Sequence, residues 1–284
     1  MMRYLIVSAD DFGFHKGINE GIAKAFREGM VTSVNLMPAG EALEDAVRLI
    51  KELKIGEVGA HLCLTETAPS LEPGRIPTLV ANGNRFYKDH NAFFINFLSK
   101  KIDPFQVYLE LKNQMGLVKK TGARITNLSS HEHIHMIPDI LDIFVRLAKE
   151  YDIPAIRCLR TESHPVPFGV RRLFRKAVVS FFEKRMSGIL KRYGVAATDH
   201  LAGFLDAGRI REDNLLVILD NLGEGTTELV THPGFLSPGI MDRQRFYINC
   251  EAELAALTSR RVKKLIKDKD IRLITYGDFL KLKR

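Results

Sequence analysis

The sequence has few cysteines and no long hydrophobic run, and both features narrow the class of protein. Cys63, Cys158 and Cys250 are far apart and odd in number, which argues against a disulfide framework or a structural zinc site. The apolar runs are far shorter than the roughly 20 residues that a transmembrane helix needs. Asp10 and Asp11 end the first apolar stretch before any small-residue cleavage site, so no secretory signal is predicted. We therefore expect a cytoplasmic protein with reduced thiols.

Length and composition favour one domain with a large core. The chain has 284 residues, of which 45% are hydrophobic, and this length is typical of a single barrel or doubly wound domain. The formal net charge is +8, which would suit an acidic partner if the excess lay on one surface. We predict a single domain over residues 1–284, and no nucleic-acid partner is expected.

Short apolar runs alternate with helical patterns along most of the chain. The predicted strands are Tyr4–Ala9, Val31–Pro38, Glu57–Leu64, Ile125–Leu128, Ala155–Cys158, Thr227–Thr231 and Ile271–Thr275. Helices are predicted at Lys16–Gly29, Glu41–Leu53, Phe105–Lys120, Asn214–Leu222 and Ser259–Lys267, with another that begins at Pro138. The stretch around residues 65–104 is rich in Pro, Gly and Asn and is interpreted as a loop excursion over the sheet. Repeated βα units favour a parallel sheet, either open or closed as a barrel.

Acidic and imidazole side chains follow four of the predicted strands. In chain order they are Asp10 and Asp11, His61, the group His131, His133 and His135, and finally His232. Functional groups collect at the carboxyl ends of parallel strands, so we expect these side chains to meet at one face of the sheet. A purely structural histidine or aspartate has no reason to prefer strand ends of one polarity.

The adjacent carboxylates of Asp10 and Asp11 have two interpretations. They could form only a turn in which one Asp caps the helix that begins near Lys16. Alternatively, one carboxylate binds a cation and the other remains a free base, because neighbouring side chains on an extended segment point in different directions. The letters Asp-Phe-Gly also occur in protein kinases, but no glycine-rich loop or kinase catalytic segment accompanies them here.

The segment from His131 to His135 is the strongest indication of a metal site. In an extended conformation its three imidazoles would face one side and crowd together, which favours a shared metal, proton network or substrate. His61 alone would more often be a core histidine. One carboxylate and two imidazoles leave coordination positions open, as catalytic sites do. The spacing does not fix which of the three histidines binds the ion.

A divalent ion held in this way would suit hydrolysis of an amide. Such an ion lowers the pKa of a water molecule and polarises a carbonyl oxygen. A base beside the ion and an acid opposite it would complete the reaction. His232, ahead of Pro233 and Gly234, is the best candidate for the acid, with a capping role in the turn as its alternative.

Six segments, in order along nearly the whole chain, resemble the YdjC-type carbohydrate deacetylases, which include chitooligosaccharide deacetylases. The segments are SADDFG, TSVNLM, GAHLCLT, SSHEHIHMIP, ELVTHPGF and the closing ELAALTS…IRLITYGDF. The layout from DHLAGFLDAGRI to THPGF is similar to that of the hopanoid-associated branch. The resemblance implies a distorted (β/α) barrel related to other polysaccharide deacetylases. It also implies a divalent ion near the barrel mouth, Mg²⁺ being expected and Zn²⁺, Mn²⁺ or Co²⁺ being the alternatives.

The resemblance also implies roles for single residues. Carried over position by position, these are Asp10 as general base, Asp11, His61 and His131 as metal ligands, and His232 as the acid or a group that orients it. Three further residues would support the ligands or contact substrate, namely His133, His135 and Arg157. Two positions before His131, where many members of the family have Asp, this chain has Ser129.

The predicted reaction is hydrolytic removal of an acetyl group from an N-acetylated amino sugar, either chitooligosaccharide-like or lipid-linked N-acetylglucosamine. A glycoside hydrolase is an alternative, but adjacent aspartates do not flank a bond at the separation that this reaction requires. The other alternative is a non-catalytic carbohydrate- or membrane-binding protein on the same fold, and Ser129 gives it slight support.

Residues 168–192 form a predicted basic amphipathic helix. Its apolar stripe comprises Val170, Leu173, Phe174, Ala177, Val178, Phe181, Ile189 and Leu190, and its basic face comprises Arg171, Arg172, Arg175, Lys176, Lys184, Lys191 and Arg192. The usual interpretation is a helix that packs on the barrel or on a homodimer partner. The alternative is a membrane-surface helix attracted to anionic lipid, which would suit a lipid-linked sugar and a peripheral location.

Overall fold

Eight parallel strands form one curled sheet in a computed structural model that describes residues 2–81, 84–160, 170–241 and 245–283. The strands are β1 Arg3–Phe12, β2 Ser33–Leu36, β3 Glu57–Leu62, β4 Arg124–Ser130, β5 Ala155–Ile156, β6 His200–Ala202, β7 Gly225–Thr231 and β8 Ile271–Leu273. Their order across the sheet is β5-β4-β3-β2-β1-β7-β6, and β8 pairs with β1. All seven pairings are parallel, so the carboxyl ends of the strands lie at one rim.

The sheet curls into a distorted barrel, which confirms the predicted fold class. β8 pairs with the first residues of β1. β2 pairs with the last residues of β1, so β8 and β2 occupy different parts of the same edge of β1. At the opposite side, Ala196 forms a parallel bridge with Ala155 of β5. A few residues later, β6 pairs with β7. The segment 196–202 thereby joins the two edges of the sheet.

Helices cover the outside of the barrel. They are α1 Lys16–Glu28, α2 Leu43–Glu52, α3 His90–Leu98, α4 Pro104–Lys119, α5 Pro138–Glu150, α6 Val170–Tyr193, α7 Glu212–Asp220, α8 Pro238–Met241, α9 Cys250–Thr258, α10 Arg260–Asp268 and α11 Tyr276–Leu282. Short 3₁₀ turns lie at Pro73–Arg75, His131–Met136 and Arg245–Asn249. The predicted strands and helices are confirmed with shifted ends, whereas β6, α3, α8, α9 and α11 had no predicted counterpart.

The strands are buried on both faces, which explains the continuous apolar runs in the sequence. Within β1, the side chains of Leu5, Ile6, Val7 and Ala9 are fully buried. A strand of a barrel has helices on one face and interior side chains on the other, so both faces exclude water. The three cysteines are also buried and unpaired, as expected.

Helix α6 confirms the predicted helix, but its buried face differs from the predicted stripe. The side chains of residues 170–178 lie outside the described part. They include five members of that stripe and four residues of the basic face. Among the described side chains, Leu190 is buried as predicted, whereas Phe181 is 67% exposed. Val179 and Met186 are buried instead. Among the described residues, no helix is long and apolar enough to cross a membrane.

Helix α1 packs directly against the backbone of the loop that follows β7. A Cβ added to Gly21 would lie 2.3 Å from the Cα of Gly234, and one added to Gly17 would lie 2.4 Å from the carbonyl oxygen of Phe235. The Phe235 N–H also donates to the Gly17 carbonyl oxygen at 2.9 Å. The two helix glycines therefore fix the position of the loop that begins at His232.

We expect Gly21→Ala to destabilise the protein by about 1–3 kcal/mol, because the added methyl overlaps backbone that has no rotamer to change. Gly116→Ala within α4 is the matched control. Nothing lies within 4 Å of a Cβ at Gly116. Alanine there should raise the stability by up to about 1 kcal/mol. Urea denaturation measures both free energies of unfolding, and equal values for the two variants would contradict the close approach of α1 and the loop.

Candidate metal centre

Asp10 and Asp11 lie at the end of β1, where a bulge interrupts its pairing with β2. From Ala9 to Phe12, β1 advances by three residues while its partner β2 advances by two, from Val34 to Leu36. Asp11 adopts a left-handed conformation with φ 65°. A bulge changes the direction of the side chains next to it. His61 Nε2 lies 3.8 Å from one Asp10 oxygen and 3.3 Å from one Asp11 oxygen, so both carboxylates lie beside the same imidazole.

Asp11, His61 and His131 bring one ligand atom each into the same small space. These atoms all lie within 4.8 Å of one another, and all three side chains are buried. Asp11 Oδ1 is 3.3 Å from His61 Nε2 and 2.8 Å from His131 Nδ1. One carboxylate and two imidazoles are a donor set that binds divalent ions and leaves coordination positions open. The three residues therefore fit a divalent metal ion.

Each of these three candidate ligands is held by one further side chain. The contacts are His61 Nδ1 with Ser129 Oγ at 2.7 Å, the Tyr247 hydroxyl donating to Asp11 Oδ2 at 2.7 Å, and His131 Nε2 with Glu66 Oε2 at 2.9 Å. Tyr247 and Glu66 were not predicted, because they lie in a 3₁₀ turn and a loop where no periodic pattern marks them. Ser129, which precedes His131 by two residues, thus supplies the hydrogen-bonding partner of His61.

Opposite charges dominate the protonation of the candidate ligands. Burial lowers the pKa of His131, but the charge and hydrogen bond of Asp11, with that of Glu66, raise it well above its usual value of 6.5. Burial raises the pKa of Asp11, but His131 and then His61 hold it well below its usual value of 3.8. Without a cation, Asp11 and His131 thus stabilise each other's charged forms.

Asp10 forms a buried, bidentate ion pair with Arg157, which directly follows β5. The guanidinium donates to the two Asp10 oxygens at 2.6 and 2.8 Å, and Asn35 Nδ2 donates to Oδ1 at 2.6 Å. Burial alone would raise the pKa of Asp10. The charge of Arg157, with a smaller effect from His61, instead lowers it well below 3.8. Arg157 was predicted near the site, and its contact there is with the proposed base.

Glu228 was not predicted, although the sequence carries a signal for it. It is the one charged residue within β7 and is fully buried. Its Oε1 accepts from Arg157 at 2.7 and 3.0 Å and from Ser8 at 2.8 Å, and its Oε2 accepts from the Tyr276 hydroxyl at 2.7 Å. A buried glutamate is almost never without a partner. Applied to the sequence, that rule would have predicted a buried basic partner for Glu228.

The segment after β4 is a tight turn, which corrects the extended conformation predicted for it. Glu132 and His133 adopt left-handed conformations with φ 51° and 53°. Because the chain turns there, the three imidazoles do not face one side. Among them, His131 is the one placed in the cluster with Asp11 and His61.

His133 and His135 lie away from the metal ligands. His135 Nε2 donates to the Arg157 carbonyl oxygen at 3.1 Å, and its Nδ1 contacts the Ser130 hydroxyl at 2.5 Å. Burial and the charge of Arg157 lower the pKa of His135 to about 3, so the ring is neutral. The His133 ring packs edge-on against Phe204, with 4.8 Å between ring centroids. His135 supports Arg157, and His133 lines the cleft described next.

The candidate metal centre opens into a cleft of about 540 Å³. Its polar lining includes Asp10, Asp11, His61, Glu66, His131, His133 and His232, and its apolar lining comprises Phe94, Met136, Val179, Phe204, Ala207 and Phe246. A cleft of this size with a few convergent polar groups is typical of a small-molecule site. The predicted residues Asp10, Asp11, His61, His131 and His232 therefore meet at one cleft.

His232 lies in this cleft with a free ring nitrogen. Its Nδ1 is buried and has no hydrogen-bond partner among the described residues. Its backbone N–H donates to Glu253 Oε2 at 2.7 Å, and the ring contacts Phe246 edge-on. Burial lowers the pKa of His232, while Asp11 and Asp10 oppose that shift.

Comparison with known proteins points to one family. The model of the YdjC-like protein family matches residues 4–268. Carbohydrate deacetylases of Brevibacillus brevis and Geobacillus stearothermophilus are each 31% identical to this chain. The first alignment covers 96% of this chain and 98% of the relative, and the second covers 99% and 100%. An Enterococcus faecalis crystal structure, described as a cellobiose-phosphate cleavage protein, has a TM-score of 0.79 and 24% identity over 98% of this chain and 99% of that one. This last likeness concerns the fold alone.

We expect Asp10→Asn to lower stability at neutral pH by about 3–5 kcal/mol, because a buried ion pair loses one partner. The pKa of Asp10 lies below its usual value of 3.8, so the pair contributes fully above pH 3.8. That contribution is lost as the pH falls towards the lowered pKa. Urea unfolding of the metal-free protein, from neutral to strongly acid pH, should show the difference between wild type and variant shrink below pH 3.8. A difference that stays constant would contradict the role of the ion pair.

Proposed function

This chain belongs to the YdjC-like protein family, and on that premise we propose that it is a metal-dependent hydrolase that removes the acetyl group from an N-acetylated amino sugar. The observation that carries the proposal is the buried set Asp11, His61 and His131 at a cleft, with the carboxylate of Asp10 beside it. The relatives named carbohydrate deacetylase support the class of reaction.

Asp11, His61 and His131 would hold the ion in this proposal. A divalent ion supplies a positive charge that polarises the acetyl carbonyl and lowers the pKa of a nearby water molecule. We propose Mg²⁺ on the basis of the family resemblance. Zn²⁺, Mn²⁺ and Co²⁺ suit the same donor set.

Asp10 is the general base of the proposed reaction. Its carboxylate lies beside His61, within reach of a water molecule at the candidate metal centre. The ion pair with Arg157 keeps Asp10 ionised and ready to accept a proton. Glu228 contacts the same guanidinium, so Arg157 keeps one carboxylate partner when Asp10 becomes neutral. This arrangement reduces the cost of proton transfer to a base whose pKa is low.

His232 donates a proton to the amine that leaves. Its side chain lines the cleft, where a ring nitrogen would donate to the substrate nitrogen. Glu253 fixes the backbone of His232 through the bond to its N–H. Because burial lowers the pKa of His232, the protonated ring is a stronger acid than an exposed histidine, which favours transfer to an amine.

The substrate in this proposal is chitooligosaccharide-like or lipid-linked N-acetylglucosamine. The apolar lining supports both, because Phe94, Phe204 and Phe246 offer aromatic faces for sugar rings or for an apolar carrier. The resemblance to the hopanoid-associated branch is the reason to retain the lipid-linked sugar.

Peripheral membrane contact through α6 is part of the same proposal. Lys184, Arg185, Lys191 and Arg192 are exposed on this helix. Phe181 is exposed beside them, and Val179 of the same helix lines the cleft. Exposed basic residues with an exposed aromatic side chain suit the surface of an anionic membrane.

We expect the protein to release acetate from at least one member of a panel of N-acetylated amino sugars, with the activity lost in the presence of a chelator and in His131→Ala. Asp10→Ala should slow the reaction by about 10²–10⁴-fold, because the general base is lost. His200→Ala is the matched control, since His200 is exposed on β6 away from the cleft lining. Release of reducing sugar without acetate would indicate a glycosidase instead. No turnover by a metal-loaded wild type would contradict the proposal.

We expect the protein to co-sediment with vesicles that contain anionic lipid at low salt. The double variant Lys184→Glu, Arg185→Glu should bind more weakly, by at least about 1 kcal/mol per basic residue removed. The control is Lys51→Glu, an exposed lysine on α2. If the wild type does not co-sediment with anionic vesicles at low salt, the membrane proposal is wrong. The helix α6 would then be expected to form a homodimer contact.

A further inference from the structure

We propose that Glu66 is a positioning residue of the metal centre, which fixes the tautomer of His131 so that His131 binds the ion through Nδ1 while His61 binds it through Nε2. This inference rests on the proposed metal-dependent function. It concerns a residue of the loop after β3 that the sequence did not single out.

The first step is the chemistry of the contact between Glu66 and His131. Glu66 Oε2 lies 2.9 Å from His131 Nε2. An ionised carboxylate only accepts hydrogen bonds, so Nε2 carries the proton. A metal ion needs a ring nitrogen without a proton. Nδ1 lies 2.8 Å from Oδ1 of Asp11, which is itself a candidate ligand, so Nδ1 is the ring nitrogen that faces the ion and gives up its proton when the ion binds.

His61 is arranged the other way round. Its Nδ1 lies 2.7 Å from Ser129 Oγ, and its Nε2 lies 3.3 Å from Asp11 Oδ1. The rings of His61 and His131 meet nearly at right angles, with 6.0 Å between centroids. Two histidines that approach one carboxylate oxygen from different directions thus present different nitrogens to it.

The backbone holds Glu66 in place at an energetic cost. Glu66 has φ 67°, a left-handed conformation that costs a non-glycine residue about 1 kcal/mol or more. Its N–H donates to the Tyr87 carbonyl oxygen at 2.8 Å, and its own carbonyl oxygen accepts from Arg85 at 2.5 Å. These bonds keep the side chain directed into the cleft, where it is part of the lining.

The charge around Glu66 makes its position unfavourable without His131. The Glu66 side chain is only 16% exposed, and the carboxylates of Glu132 and Asp11 line the same cleft. A carboxylate beside two others needs a proton donor or cation. The His131 N–H supplies the donor, so the contact stabilises Glu66 and orients the imidazole at the same time.

Carboxylates that accept from a metal-bound imidazole fix the ring and increase its basicity. Loss of such a partner typically weakens metal binding by about 10–100-fold. Because Glu66 also lines the cleft, the loop that carries it links the substrate cleft to the geometry of the ion.

One experiment reads the tautomer directly in the wild type. Zn²⁺ is added to protein with ¹⁵N-labelled histidine, and long-range ¹H–¹⁵N correlation spectra assign both nitrogens of the His131 ring. We expect the proton on Nε2 and Zn²⁺ on Nδ1, with the opposite assignment for His61. Zn²⁺ on Nε2 of His131 would overturn the inference.

A second experiment measures Zn²⁺ affinity by calorimetry. We expect Glu66→Ala to bind about 10–100-fold more weakly than wild type. Glu66→Gln, which keeps an acceptor oxygen but loses the charge, should bind with intermediate affinity. Glu72→Gln, an exposed residue of the same loop, should match wild type. Unchanged affinity in Glu66→Ala would overturn the inference, whereas a wild type that binds no Zn²⁺ would contradict the proposed function instead.

Discussion

The buried guanidinium of Arg157 is the interaction on which the rest of the site depends. It lies between Asp10 at the end of β1 and Glu228 in β7, and all three side chains are almost completely buried. A buried charge is tolerated only when it is paired and hydrogen-bonded. The barrel must therefore keep the ends of β1 and β5 and the middle of β7 at fixed separations. That constraint holds Asp10 beside the candidate metal centre.

Strained backbone accompanies the polar groups of the cleft. Asp11, Glu66, Glu132 and His133 all adopt left-handed conformations, and all four line the cleft. Each such residue costs about 1–3 kcal/mol, so it persists only where surrounding contacts over-determine it. Regular strand and helix geometry would not bring a carboxylate and two imidazoles within 4.8 Å of one another. The irregular segments do so because the regular barrel around them supplies the necessary stability.

The cleft combines two kinds of surface that suit different parts of one ligand. Carboxylates and imidazoles lie around Asp11, and the apolar groups come from α3, α6, the loop after β6 and the 3₁₀ turns that contain Met136 and Phe246. A polar acetamide and an apolar sugar face or carrier would be separated in the same way. The proposed deacetylation uses the first surface for chemistry and the second for binding.

Much of this arrangement was predictable from local pattern. Apolar periodicity and turn residues predict the βα units, and the rule for strand ends brings Asp11, His61 and the histidines after β4 to one rim. The choice of His131 came from the family resemblance, because spacing alone left three histidines open. The contacts of Glu66, Ser129 and Glu228, and the Tyr247 hydroxyl on Asp11, 236 residues away in sequence, depend on the closed barrel. Local pattern contains no information on such contacts, because long-range packing and a few left-handed residues decide which side chains meet.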